Sequence, residues 1–250
     1  MTISILRGAA YDVASEFKEE NFLKMAKKVV NRDKSICHLC GFQSFSFVRV
    51  LKITGANKTP SEDGEVPVLN PKEYKTTCAI CFESQRLKYA VDSNYGKLIY
   101  LPEISQTQLN SIVHFTLSVI EDEVDEAHKS QMQHVKRAMR TDYALLQSRE
   151  VALKEIYSLD TTIELVDFLI KMPDSAYAQR DKFLDGVRYL PDLNAYQKRA
   201  QKWKQREYVN FRPTMWSSFA EKYLPEIFAK WTDLPENDDF VACMPRFIDE

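Results

Sequence analysis

Apolar residues recur at a helical period among charged ones over residues 16–31, where Phe22, Leu23, Met25, Ala26, Val29 and Val30 predict a helix with one apolar stripe. Beyond residue 44 the pattern changes. Phe45, Phe47, Val48, Val50, Leu51 and Ile53 form an aromatic and β-branched run ended by Gly55, which reads as a strand. The polar, turn-rich residues 57–64 read as a loop. Nothing over residues 81–91 breaks a short helix through Phe82, Leu87 and Tyr89, and a turn cluster at residues 92–96 follows it. Lys97 to Leu101 then read as a strand stopped by Pro102.

From Ser105 the period returns to that of a helix. Ser105 and Gln108 form a capping box, Ile104 and Leu109 occupy staple positions, and Leu109, Ile112, Val113, Leu117, Ile120 and Val124 share a face. Its far end carries Glu121, Asp122, Glu123, Asp125 and Glu126, read as a solvated face. Thr161 and Glu164 predict another cap, for a helix through Leu165, Phe168 and Leu169 that Pro173 ends. A further helix is expected from Asp174 or Ser175 through Leu184 and Val187 to Pro191. Asp192 then caps one carrying Tyr196, Ala200 and Trp203.

No linker, repeat or low-complexity tract separates these segments. The expectation is an N-terminal helix and a knuckle-bearing α+β module that contains Cys37, Cys40, Cys78 and Cys81 over residues 1–103, a helical region over 104–206 packed on it, and a helical extension over 207–250. In that extension Arg212-Pro213 breaks the chain, Pro225 kinks or splits it, and Met215, Trp216, Phe219, Tyr223, Ile227, Phe228 and Trp231 are expected to pack back on the helical layer, a docking surface for another subunit being the alternative.

Charge narrows the partners. With 34 basic and 36 acidic residues the chain carries no global field toward nucleic acid or anionic lipid, so any such contact must be local. Residues 1–18 are interrupted by Arg7, Asp12, Glu16 and Lys18, and no stretch reaches the roughly 18 apolar residues of a membrane span. A cytosolic protein is expected.

Four of the five cysteines fall in two CxxC pairs, Cys37/Cys40 and Cys78/Cys81. Each such knuckle turns two sulfurs toward one point, and four together suit a single tetrahedral zinc. With every vertex filled by protein sulfur, that zinc is structural. Two disulfides or four unrelated buried thiols are the alternatives the spacing leaves open. Cys243 is left over and reads as a small buried hydrophobe.

The residues also carry a resemblance. Arg32-Asp33, then Cys37-x-x-Cys40-Gly41-Phe42-Gln43, then Cys78-x-x-Cys81, the block Leu98-Ile99-Tyr100-Leu101-Pro102-Glu103 with Gln106-Thr107-Gln108-Leu109-Asn110-Ser111, and later Arg188 to Pro191 and Gln197 to Trp203 are similar to the IcmJ (DotN) family of type IVB secretion systems. The resemblance covers roughly residues 25–206. It implies one structural zinc on Cys37, Cys40, Cys78 and Cys81 in a non-catalytic subunit of a coupling complex. The implied partners are the C-terminal extension of a membrane-anchored coupling ATPase and other coupling-complex subunits and adaptors. The implied location is the cytoplasm, peripheral to the inner membrane through that partner. Residues 55–71 and the tail from Tyr208 depart from the family pattern.

The rival class is an HNH-like metal-dependent nuclease, whose metal module is also often braced by paired knuckles, or a nucleic-acid-binding zinc protein. The fold expected is α+β, a small treble-clef or HNH-like four-cysteine zinc module with a packed layer of α-helices. Nuclease chemistry needs a histidine base on the strand after the first knuckle and an Asn or His farther on. The chain has Lys52 and Glu73 at those places, so no catalytic residue is assigned. His38 reads as a surface histidine, and His114, His128 and His134 are too far apart for a second metal site. Six glycines with no phosphate-loop spacing give no support for nucleotide hydrolysis. Lys198, Arg199, Lys202, Lys204 and Arg206 around Trp203 form the best patch for nucleic acid or an acidic partner, but a solvated helix face with the indole turned inward is the favoured reading, and no nucleic-acid partner is expected.

Overall fold

The computed structural model describes residues 20–52, 69–86, 95–121, 129–158, 161–177, 179–205 and 207. The expectations for residues 57–64, 87–91, 122–126 and 208–250, Cys243 among them, lie outside these.

Helix α1 (Glu20–Arg32) buries Phe22, Met25 and Val29, one residue per turn, against Val50 of strand β1 (Arg49–Lys52). Leu23, expected on that stripe, is exposed because it falls a third of a turn away. Strand β1 pairs antiparallel with β2 (Tyr74–Thr77), which follows a single 3-10 turn at Pro71–Glu73. The strand expected from Phe45 thus begins only at Arg49. Phe47 takes a left-handed φ of 58°, and the Phe45 and Ser46 N–H groups donate to the Glu207 carboxylate instead of a ladder.

Helix α2 (Ala79–Gln85) starts from Cys78 as its cap and is buried along its whole length. It packs on α3 (Gln106–Ile120), whose Ser105/Gln108 capping box is formed in both directions. Two helices with no counterpart in the expectations follow, α4 (Lys129–Ser148) and α5 (Glu150–Tyr157). The reciprocal Thr161/Glu164 box opens α6 (Thr162–Lys171) as expected, yet Phe168 is half-exposed while Leu165 and Leu169 point inward.

The helix expected from residue 174 to Pro191 is not there. Two single turns, α7 (Asp174–Tyr177) and α8 (Arg180–Phe183), lead to Gly186, whose φ of 81° ends helical geometry. Val187–Pro191 is then strand β4, antiparallel to β3 (Gly96–Tyr100) with Gly96 opposite Pro191. This sheet is covered on both faces. Ile99, Leu101 and Leu190 join the cluster around the cysteines, and Leu98, Val187 and Tyr189 join a second one with Leu153, Leu165, Leu169 and Leu184. All five β4 residues are buried, so the strand lacks the alternation that would have announced it. Even Arg188 lies inside, its Nε donating to the Ile104 carbonyl at 2.7 Å. Helix α9 (Leu193–Lys204), capped by Asp192, buries Tyr196, Ala200 and Trp203 against α3 and the first knuckle.

The architecture is α+β. Core residues from both sides of residue 103 pack together, through the β3–β4 pairing and through α3 and α9 on the cysteine cluster.

Candidate metal centre

The first knuckle is anchored by the Arg32-Asp33 pair. Arg32 bonds both carboxylate oxygens of Asp33 and the carbonyls of Pro71 and Tyr74, while Asp33 Oδ2 accepts the Thr76 N–H at 2.9 Å. Burial alone would raise the Asp33 carboxyl, but the bonds from Arg32 and Thr76 outweigh it and hold its pKa at about 2. The chain then turns back through Lys34 and Ser35, both left-handed, and Ile36 bridges Gln43. Between them lies the knuckle itself. Gly41, at φ 75°, lets its N–H reach the Cys37 carbonyl, Cys37 N–H meets the Phe42 carbonyl, and His38 N–H meets the Thr76 carbonyl of β2. The second knuckle is the first turn of α2, where Cys78 Sγ accepts the Cys81 N–H at 3.4 Å.

These two turns bring all four sulfurs within 4.8 Å of one another, and all four cysteines are buried and free. Cys40 Sγ lies 3.7 Å from Cys78 Sγ. A disulfide needs about 2 Å, whereas the edge of a tetrahedron with bonds of about 2.3 Å to sulfur is about 3.8 Å. The disulfide alternative is therefore set aside. The electrostatics agree. Hydrogen bonds from Cys40, Cys78 and Cys81 hold the Cys37 thiol well below its usual range, so one thiolate is well tolerated. Further ionisation is opposed, by burial at Cys78 and by the contact with Cys37 at Cys81. A cation among the sulfurs lifts that opposition, and the cluster could hold a metal ion.

Helix α3 completes the surroundings with a polar ladder that the sequence reading did not single out. Gln106, Asn110 and His114, each four residues from the next, are buried beside the apolar stripe. Asn110 Nδ2 lies 3.3 Å from Cys81 Sγ and 2.9 Å from Ser84 Oγ, and His114 Nε2 lies 3.3 Å from Cys78 Sγ. The imidazole is sandwiched by rings, stacked on Phe42 at 4.1 Å and tilted against Trp203 at 5.1 Å. Burial pushes the His114 pKa down to about 3 against the upward pull of Cys37, so the ring is neutral. The available signal was the i, i+4, i+8 spacing of three polar side chains along the helix that the capping box announces.

His38 is on the surface, as expected. Lys52 and Glu73, the places weighed for nuclease chemistry, meet each other: Lys52 Nζ lies 3.1 Å from Glu73 Oε2 at the open end of the β1–β2 pair. On α9, Trp203 is turned inward and Lys198 and Lys202 face solvent, but Arg199 does not. It reaches inward to Glu83 at 2.7 Å, its guanidinium 4.5 Å from the Tyr95 ring centroid and 5.1 Å from that of Tyr196. Burial raises Glu83 to about 7 against the opposing effect of Arg199 and Arg49. Among the described residues no helix is long and apolar enough to cross a membrane.

No protein-family model matches the chain. Among characterised proteins it is similar to a component of a type 4 apparatus. That component is the Type 4 apparatus protein DotN of Legionella pneumophila, 24% identical over 189 residues that span 74% of this chain and 80% of that protein.

Proposed function

We propose that the chain is a non-catalytic, zinc-braced subunit of a type IVB secretion coupling complex, in which it holds the cytosolic C-terminal extension of the coupling ATPase and supports adaptor docking. The observation that carries the reading is the closed cluster of Cys37, Cys40, Cys78 and Cys81, in a chain similar over most of its length to DotN. In this reading one zinc is bound by those four thiolates. When bound, such a zinc supplies cross-linking of two chain segments, with no vertex left for water. The knuckles and α2 then form a treble-clef, HNH-like module. The Lys52–Glu73 ion pair speaks against hydrolytic use of that scaffold, because the two side chains that stand at the catalytic places engage each other and neither is the histidine or asparagine that chemistry needs.

An extended peptide that orders on binding fits such a subunit, since a rigid template spares it part of the ordering cost. The work is done in the cytoplasm, next to the inner membrane through the ATPase. The test is calorimetric titration of the cognate ATPase extension into the zinc-loaded protein, with saturation expected. Absence of binding at tens of micromolar, on the order of 6 kcal/mol, by folded, zinc-containing protein overturns the assignment. DNA cleavage by the pure protein with added magnesium or manganese would favour the nuclease reading.

A further inference from the structure

We propose that Asn110 and His114 are positioning residues of the four-cysteine centre. Their side-chain N–H groups hold the sulfurs of Cys81 and Cys78, set the affinity of the cluster for zinc, and make zinc loading close α3 onto the two knuckles. The inference rests on the zinc reading above.

Four thiolates around a divalent cation leave a net charge of about −2, and all four cysteines are buried from water. Such sulfur needs hydrogen-bond donors from the protein, because the solvation it gives up is otherwise unreplaced. Among the described residues the N–H groups that meet these sulfurs include the Cys81 backbone N–H on Cys78, Asn110 Nδ2 on Cys81, and His114 Nε2 on Cys78. The first is part of the knuckle. The other two come from one face of α3, a helix that begins more than twenty residues after the second knuckle.

The direction of each bond follows from chemistry. A metal-bound thiolate has no proton to give, so His114 is the donor to Cys78 and carries its hydrogen on Nε2. Asn110 is oriented by its neighbour: Oδ1 accepts from Gln106 Nε2 at 2.9 Å, which leaves Nδ2 facing sulfur and Ser84. Gln106 is fixed in turn by both backbone groups of Tyr189, donating to the carbonyl at 2.7 Å and accepting the N–H at 2.8 Å. A continuous line of hydrogen bonds thus runs from Cys81 along α3 to the centre of β4. Charge gathered on the sulfurs strengthens its first link and the parallel one from His114 to Cys78, and both hold α3 to the second knuckle.

A packing role for His114, between Phe42 and Trp203, orders substitutions the opposite way. Phenylalanine preserves the ring stack and loses the donor, whereas glutamine keeps an N–H near the Nε2 position and loses the stack. The experiment measures zinc affinity of the full chain by chelator competition in His114→Phe, His114→Gln and Asn110→Leu, with thiolate-to-cobalt absorption of the cobalt(II) forms as a second readout. The expected result is a loss of 10–100-fold for His114→Phe and Asn110→Leu, the range typical of outer partners of metal ligands, with His114→Gln close to wild type. Wild-type affinity in His114→Phe, or a larger loss in His114→Gln than in His114→Phe, overturns the inference.

Two measurements on the wild-type chain stand even where a variant fails to fold. Nitrogen-15 NMR of the zinc-loaded protein is expected to show the His114 proton on Nε2, and a bare Nε2 facing Cys78 refutes the donor role. Hydrogen exchange is expected to show α3 amides losing protection on chelation, and unchanged protection refutes the coupling. Protein that takes up no zinc at all defeats the zinc reading and this inference together. Full zinc with the reversed order of variants defeats this inference alone.

Discussion

Trp203 is the side chain through which α9 grips the first knuckle, and its removal tests whether that grip is made by ring burial or by polar contact. The indole is fully buried, with ring centroids 5.7 Å from Phe42, 6.1 Å from Phe47 and 5.1 Å from His114. Its Nε1 donates to the Ser46 carbonyl at 3.3 Å, and that carbonyl also accepts from the Ser44 hydroxyl. Losing the indole therefore leaves no orphaned acceptor, and the cost is that of the cavity and the lost contacts. Truncation of a large buried aromatic to alanine costs roughly 3–5 kcal/mol. Trp203→Phe refills most of the space and gives up one long hydrogen bond, for about 1–2 kcal/mol. The assay is urea unfolding of the metal-loaded chain followed by far-ultraviolet circular dichroism, because Trp216 and Trp231 would blur a fluorescence signal. A loss below about 1 kcal/mol for Trp203→Ala refutes the burial reasoning. Equal losses for the two variants would place the energy in the hydrogen bond instead.

Cys78→Ser removes a sulfur that caps α2 and, in the proposed reading, ligates zinc, and structural zinc sites in small modules are worth on the order of 10 kcal/mol; metal analysis and thermal unfolding are expected to show zinc lost and the cooperative transition of the knuckle module abolished. Glu83 has its pKa raised from 4.5 to about 7, so its stabilising contribution is full below pH 4.5 and lost as pH rises through about 7. Denaturant midpoints from pH 5 to 8 are expected to fall more steeply for wild type than for Glu83→Gln, by on the order of 3 kcal/mol over that span. Gly186→Ala would place its Cβ 2.5 Å from Tyr100 Cε2 at a φ of 81°, and a loss of about 2–3 kcal/mol is expected in the same unfolding assay.

What could be read in the chain was what its local chemistry declares. Both Ser/Thr capping boxes announced α3 and α6, and Asp192 announced α9, because a cap is a contact between residues three apart. The doubled CxxC announced the sulfur cluster for the same reason. β4 was misread as helix because burial on both faces removes its alternation, and its partner β3 lies far away in sequence. α4 and α5 went unread. Met139, Tyr143 and Leu146 do recur at helical spacing, but within a mostly polar segment, and Arg149, at the start of α5, makes no side-chain cap bond. The donors to sulfur were hidden differently: Asn110 and His114 gain meaning only when α3 is laid across α2, a tertiary fact. Arg199 reads as solvent-facing because the nearby lysines Lys198 and Lys202 are, while its own partner Glu83 is over a hundred residues away.

The β3–β4 pairing also bears on how the chain comes to be folded as it is made. Gly96 meets Pro191, so roughly ninety residues must leave the ribosome after β3 before its partner exists, an interval of roughly 5–20 s at ordinary elongation rates. The pairs of cysteines, by contrast, have both emerged before β3 is complete. The nascent chain therefore has the means to gather its sulfurs early, while an apolar strand with two open edges waits for the end of the helical region. Non-local pairing of this kind slows folding and prolongs exposure of that strand. The vulnerable species in production of this protein is consequently a late one, and its yield should respond to slower translation or to chaperones that shield extended apolar segments.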